Sequence, residues 1–140
     1  QNLHLGAYHP RAKEMKQDTI EKIYKIFPKL SQREDQLAST MSGGEQQMLA
    51  IARGLMGMPK LLMVDEPFLG LSPMVTKDLI KIFKNIVENG ISILFVEQNV
   101  RLALSMATRG FVLESGRLVI SGDSKDLIDS GEVRRVFLGN

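Results

Sequence analysis

Residues 60–107 alternate between apolar runs and amphipathic segments, and this alternation constrains the fold more than any other feature of the sequence. Two short, mainly apolar runs, Leu61–Val64 and Ile91–Val96, each end in polar residues. Between them, residues 73–88 carry apolar side chains at helical spacing. A strand–helix–strand order with two apolar strands predicts a parallel sheet whose strands are buried under helices. The predicted fold class is therefore α/β.

The residues before this region predict helices. One helix is expected over residues 20–27, where Pro28 ends it, and another from Ser42 to Met56. After residue 107, two short strands are expected around the turn Ser115–Gly116, followed by helices over residues 123–128 and 132–137. The sequence thus predicts two structural parts. They are a helical subdomain over residues 1–57 and a sheet-containing core over residues 58–140.

Composition excludes several classes of function. The chain has 140 residues, of which 44% are hydrophobic and 24% charged, as in soluble globular domains. It contains no Cys, so neither a disulfide framework nor a Cys-based metal site is possible. The net charge of +2 is spread along the chain, and no basic stripe with interleaved aromatic residues occurs, so no nucleic-acid partner is expected. No apolar run is long enough to span a membrane.

The segment Ser42-Gly43-Gly44-Glu45 is a candidate anion-binding site. Ser42 is a good helix N-cap, and two glycines allow a ligand to approach the backbone closely. The free N–H groups and the positive dipole end of a helix N-terminus suit a phosphate. An ordinary capped helix with a flexible entry explains the same residues.

Acidic and amide side chains follow the two apolar runs. Asp65 could hold Mg²⁺ through water, and the Glu66 carboxylate could orient and deprotonate a water molecule. Gln98, after the second run, could donate a hydrogen bond to a phosphate oxygen. The alternatives are two surface acids at a strand end, and a strand-to-helix turn in which Asn99 is the N-cap.

In combination these residues resemble the ATPases of ATP-binding cassette (ABC) transporters, over essentially the whole chain. Residues 42–47 (SGGEQQ) resemble their signature loop, and residues 61–66 resemble their Walker B strand, with Glu66 as the catalytic glutamate. Gln98 lies at their switch-histidine position. Their D-loop corresponds to Leu69, Gly70, Leu71 and Ser72.

Longer phrases resemble one subfamily, the ATPases of branched-chain amino acid importers. These phrases are residues 2–3 (NL) with 6–8 (GAY), 42–52 (SGGEQQMLAIA), 65–71 (DEPFLGL), 96–99 (VEQN) and 136–139 (VFLG). Two alternatives stay open. Residues 99–100 and 135–139 also resemble ATPases of lipopolysaccharide or lipid export, and a non-catalytic fragment is the third possibility.

The resemblance implies a mechanism with ATP and Mg²⁺ as cofactors. Two ATPase subunits, identical or different, would pair head-to-tail. The ATP of the partner subunit would be contacted by Ser42, Gly43, Gly44 and Glu45. Asp65 would support Mg²⁺, Glu66 would polarise the attacking water, and Gln98 would sense the terminal phosphate.

The same resemblance implies a location and further partners. The helical subdomain would face membrane permease subunits at the cytoplasmic side of the cell membrane. A periplasmic or extracellular substrate-binding protein would act indirectly through the permease. Gln98 replaces the common His and cannot be protonated near neutral pH, which excludes a proton relay there. Ser72 stands where many D-loops have Asp.

One motif expected of these ATPases does not occur in the sequence. The pattern G-x-x-x-x-G-K-[ST] of the P-loop, which cradles bound phosphates, is absent from the 140 residues. The resemblance therefore implies a partial P-loop NTPase fold, which is the second half of a longer ATPase. The P-loop strand would insert between residues 91–96 and 111–114. The isolated chain is expected not to hydrolyse ATP.

Overall fold

The computed structural model describes residues 1–133 of the chain. The helices are α1 (Asn2–Gly6), α2 (Pro10–Glu14), α3 (Lys16–Ile26), α4 (Pro28–Ser31), a 3₁₀-helix (Ala38–Thr40), α5 (Gly43–Leu55), α6 (Pro73–Glu88), α7 (Val100–Met106), α8 (Ser124–Asp129) and α9 (Gly131–Val133). The strands are β1 (Leu61–Asp65), β2 (Ser92–Val96), β3 (Arg109–Glu114) and β4 (Arg117–Asp123). In this part of the chain, no helix combines the length and the apolar character that a membrane crossing requires.

The chain forms two compact units, of which the first is Gln1–Phe95 and the second begins at Val96. The division at residue 57 that the sequence predicts separates helices from a sheet-based core. That division stays a prediction.

Helix α5 is the centre of the helical part of the first unit. Its buried face consists of Met48, Ile51, Ala52 and Leu55, together with Gly44 at the N-terminus. Helix α1 packs closely against its last turn, since a Cβ atom at Gly6 would meet the carbonyl of Arg53 and would lie 2.8 Å from Cβ of Met56. A glycine in α1 thus allows the two helix backbones to approach.

The second part of the first unit joins α6 to the parallel pair β1 and β2. Ser72 caps α6, with Pro73 in its first turn, and Asn89 is its C-cap. The buried residues of this helix are Leu79, Phe83 and Ile86. The Phe83 ring lies edge-on to Phe68 at a centroid distance of 5.7 Å, and 6.3 Å from the ring of Phe95. The predicted α/β fold class with a parallel sheet is confirmed.

The prediction that both parallel strands are buried is wrong. The exposed fractions are 50% for Leu61, 70% for Met63, 46% for Leu94 and 59% for Val96. Among residues 1–133, the sheet containing β1 and β2 has two strands only. A parallel strand is buried when strands flank it and helices cover both of its faces, and this small sheet lacks such cover.

The second unit is an antiparallel hairpin with helices against it. Strands β3 and β4 pair from Arg109 opposite Asp123 to Glu114 opposite Arg117. The predicted turn at Ser115 and Gly116 is present with positive φ angles at both residues, as the right-handed strand twist favours in a two-residue hairpin turn. The buried core of the second unit consists of Leu104, Val112, Leu127 and Val133.

Two sequence predictions extend past the described residues. Of the helix expected over residues 132–137, only the start falls within the described chain, as part of α9 (Gly131–Val133). The phrase at residues 136–139 lies outside the described residues.

Candidate functional site

The N-terminus of α5 is closed by a reciprocal capping box, so the predicted Ser42 N-cap is confirmed. The Ser42 amide and the Ser42 hydroxyl each donate to Oε2 of Glu45 at 2.9 Å. In return, the Glu45 amide donates to the Ser42 hydroxyl oxygen at 3.4 Å. The first amides of a helix have no intrahelical acceptor. Because the box uses those of Ser42 and Glu45, the amides of Gly43 and Gly44 are the ones left for a ligand.

The two glycines of this turn have different surroundings. A Cβ atom at Gly44 would lie 2.6 Å from Cγ1 of Val75, in the first turn of α6. At Gly43, apart from its sequence neighbours and the nearby backbone of its own helix, no atom of the described chain lies within 4 Å of such a Cβ atom. Packing against Val75 therefore requires glycine at position 44, whereas the space beside Gly43 is open to a ligand.

A polar network fixes the residues that lead into the capping box. Nε of Arg33 lies 3.0 Å from Oε1 of Glu45. Nη1 of Arg33 also donates to Oε1 of Gln36 at 2.8 Å, and Nε2 of Gln36 donates to Oγ1 of Thr40 at 3.0 Å. The hydrogen bonds from Ser42, and then the charge of Arg33, hold the pKa of the Glu45 carboxyl below its usual range. Glu45 thus shapes the loop and carries a negative charge there.

Gln46 is a second anchor that sequence reasoning missed. Its side-chain amide donates to the carbonyl oxygen of Ala38 at 3.0 Å and to that of Met41 at 3.3 Å. These bonds tie the 3₁₀-helix and Met41 to the first turns of α5. No local pattern marks Arg33, Gln36 or Gln46 as partners of this loop, because their contacts depend on the path of the chain between residues 33 and 46.

The acidic pair lies at the carboxyl end of β1, where the sequence places it. Asp65 is the last residue of the strand and is exposed, and Glu66 follows with a positive φ of 44°. The next two residues are buried, since Pro67 is fully enclosed and Phe68 packs on Phe83 of α6. The turn that carries both carboxylates is therefore anchored in the core of the first unit.

The four predicted D-loop residues connect this turn to α6. The Leu69 amide donates to the Glu66 carbonyl, and the Leu71 amide donates to that of Phe68, both at 3.2 Å. Gly70 has a positive φ of 71°, which favours glycine. The Ser72 hydroxyl accepts a hydrogen bond from the Val75 amide at 3.4 Å. Because Ser and Asp are both good N-caps, Ser72 serves the helix start as an Asp would.

Gln98 belongs to the second unit and is exposed between β2 and α7. The side chain of the next residue, Asn99, accepts a hydrogen bond from the Leu102 amide at 3.0 Å and caps α7. The strand-to-helix turn with Asn99 as N-cap, which is the alternative that the sequence predicts, is therefore present. This cap does not involve the Gln98 side chain, so the role of Gln98 stays a prediction.

The donor set for a divalent cation is small. Among residues 1–133, no group of three or more His, Asp or Glu side chains is arranged to hold a metal ion. The exposed carboxylate of Asp65 at the strand end fits Mg²⁺, which is often bound by one or two carboxylates, water and substrate phosphates.

Comparisons with known proteins show which family the sequence resembles. The family model described as ABC transporter matches residues 2–69. The high-affinity branched-chain amino acid transport ATP-binding protein BraG of Pseudomonas aeruginosa is 42% identical over 139 residues, which is 99% of this chain. The chain belongs to the ABC transporter ATPase family.

Two further proteins extend the comparison. The lipopolysaccharide export system ATP-binding protein LptB of Haemophilus influenzae is 33% identical over 110 residues, 79% of this chain. A solved structure of MJ1267, an ATP-binding cassette of an ABC transporter, is 26% identical with a TM-score of 0.77 over 99% of this chain. The chain spans 59% of the length of BraG, 46% of LptB and 61% of the MJ1267 chain.

Proposed function

We propose that this chain provides the signature loop and the hydrolytic residues of an ABC ATPase that energises uptake of branched-chain, hydrophobic amino acids. The observation that carries the ATPase assignment is the closed capping box at α5, with Gly43 open to the outside. The identity of 42% to BraG over 139 residues supports the importer and its substrate class.

The signature loop acts in trans in this proposal. Gly43 and Gly44 offer backbone amides to the phosphates of an ATP that a second ATPase subunit holds, and the helix dipole favours that negative charge. The Ser42 hydroxyl turns its hydrogen from Glu45 toward the phosphate. Glu45 keeps the Ser42 backbone in place through its hydrogen bond to the amide.

The strand-end residues act on the ATP that this subunit binds. Asp65 holds Mg²⁺ through water, and this ion supplies charge neutralisation for the phosphates. Glu66 orients the attacking water and accepts its proton. Gln98 donates a hydrogen bond to the terminal phosphate. The D-loop (Leu69, Gly70, Leu71 and Ser72) carries contacts between the two subunits, and its first residue, Leu69, is exposed.

The partners follow from the proposed transport activity. The ATPase forms a head-to-tail dimer with an identical or related subunit. Its helical subdomain, residues 1–57, docks on membrane permease subunits at the cytoplasmic face of the membrane. A substrate-binding protein outside the membrane delivers the amino acid to the permease.

A second candidate function is the ATPase of a lipopolysaccharide or lipid export system. It is favoured by the identity of 33% to LptB over 110 residues. Both functions use the same ATP chemistry, so they differ in the membrane partner and in the transported molecule.

A chimera tests the proposed function. This chain replaces its matching segment in BraG, and the chimera is produced in cells that lack BraG. We expect uptake of radiolabelled leucine to return, and ATP hydrolysis by the purified chimera. The matched control is the Glu66→Gln chimera, which should be present in equal amount and restore neither activity.

A parallel chimera with LptB separates the two functions. If it restores growth to LptB-depleted cells while the BraG chimera restores no leucine uptake, the export function is correct and the importer function is wrong. If the BraG chimera is stable and associated with its permease but hydrolyses no ATP, the ATPase assignment itself is refuted.

A further inference from the structure

The signature loop contains a negative charge at the position where the proposed function brings a polyphosphate. The Glu45 side chain folds back over the helix N-terminus, where Oε2 accepts hydrogen bonds from the amide and the hydroxyl of Ser42. A glutamine would complete the same capping box without a charge. A carboxylate there repels an approaching phosphate unless a cation compensates it.

Arg33 is the cation in contact with that carboxylate. Its Nε lies 3.0 Å from Oε1 of Glu45, on the oxygen that the capping box leaves free. Lys29 contributes at longer range, while its own ammonium group pairs with Asp78 at 3.2 Å. Of the two cations, Arg33 is thus the one that touches Glu45.

The orientation of Arg33 is fixed by the segment that enters the loop. Oε1 of Gln36 accepts a hydrogen bond from Nη1 of Arg33 at 2.8 Å. Gln36 in turn donates to the carbonyl and the hydroxyl oxygens of Thr40, at 3.3 and 3.0 Å. Arg33 therefore connects the segment before the signature loop, through Gln36 and Thr40, to Glu45 inside that loop.

We propose that Arg33 is a positioning residue of the signature loop, which holds and neutralises Glu45 so that the loop accepts the polyphosphate of an ATP on the partner subunit. This inference rests on the proposed ATPase function. It predicts that Arg33 matters because Glu45 is charged, and that the need for Arg33 disappears when Glu45 becomes glutamine.

The first test uses the chain itself. The pKa of the Glu45 carboxyl is measured by carbon NMR in the parent, in Arg33→Gln and in Lys29→Gln. Both variants lose one positive charge, but only Arg33 contacts Glu45. We expect a higher pKa in Arg33→Gln than in Lys29→Gln. An equal or smaller rise in Arg33→Gln overturns the proposed neutralisation.

The second test uses the BraG chimera and ATP. Arg33→Gln should lower kcat/KM about threefold to tenfold, the range expected for a partly exposed charged hydrogen bond, mainly through KM. Arg33→Gln combined with Glu45→Gln should return to within about twofold of Glu45→Gln alone. Lys84→Ala, which removes a charge from the exposed side of α6, should match the parent.

The outcomes separate this inference from the proposed function. If the parent chimera hydrolyses no ATP, the proposed function fails, while the pKa comparison still decides whether Arg33 neutralises Glu45. Suppose instead that the parent is active, but that adding Glu45→Gln to Arg33→Gln does not restore kcat/KM to the value of Glu45→Gln alone. Arg33 then acts by another route, and the inference is wrong.

Discussion

The neighbouring glycines Gly43 and Gly44 should respond oppositely to the same substitution. Alanine at Gly44 places a Cβ atom 2.6 Å from Cγ1 and 3.3 Å from Cγ2 of Val75, whereas ordinary contacts are 3.4–4 Å. Val75 has little freedom to move away, because a helical valine strongly prefers one rotamer. The Cβ atom of alanine at position 43 meets no atom within 4 Å outside its sequence neighbours and the nearby backbone of its own helix, among the described residues.

The magnitudes follow from two opposing terms. Overpacking of this kind costs about 1–3 kcal/mol. Replacing a helical glycine by alanine returns about 1 kcal/mol at most. We therefore expect Gly44→Ala to lower the free energy of unfolding by up to about 2 kcal/mol, and Gly43→Ala to leave it unchanged or raise it by up to about 1 kcal/mol.

Urea denaturation of the chain, followed by far-UV circular dichroism, measures both effects. Val75→Ala supplies the compensating background, because it removes both methyl groups that the new Cβ atom would meet. In that background Gly44→Ala should cost nothing. The reasoning is refuted if Gly44→Ala destabilises equally with Val75 or Ala at position 75, or if Gly43→Ala destabilises as much as Gly44→Ala.

Three further predictions concern the loop and the strand ends. Because the pKa of Glu45 is lowered in the folded chain, the Glu45 carboxylate stabilises the fold above about pH 4–5 and loses this effect as the pH falls. The stability difference between the parent and Glu45→Gln should therefore shrink on acidification, and a difference independent of pH would contradict it. In the BraG chimera, Glu66→Gln should bind ATP but lower kcat by about 10²–10⁴-fold, as loss of a general base does; rapid hydrolysis removes Glu66 from that role. Gln98→Ala should lose most turnover while Gln98→His keeps much of it, and equal activity of the Ala variant and the parent would exclude the phosphate contact.

Local signals in the sequence predict the start and end of the main elements. Ser42 before two glycines, Ser72 before Pro73, and the Ser115–Gly116 turn all act within a few residues. For the same reason, the amino-acid sequence alone is enough to indicate the capped signature loop as a candidate for phosphate binding.

The parts that sequence reasoning missed depend on contacts between distant segments. Strand burial depends on what lies beside and above the sheet, and the exposed side chain of Met63 shows that apolar composition does not determine it. The ion pair of Arg33 with Glu45 and the contact of Gly44 with Val75 join residues without any periodic spacing. Such pairs appear only when the chain path is known.

The aromatic contact between Phe68 and Phe83 has a consequence for interpreting natural variants. Phe83 lies in the middle of α6 and is buried, so a change there would ordinarily be classified as a matter of stability alone. Its ring, however, packs edge-on against Phe68, two residues after Glu66 and in the same turn. A conservative replacement such as Phe83→Leu would remove this ring contact and shift the two strand-end carboxylates. Under the proposed function, such a variant in a natural isolate would be folded and abundant but would show a loss of function.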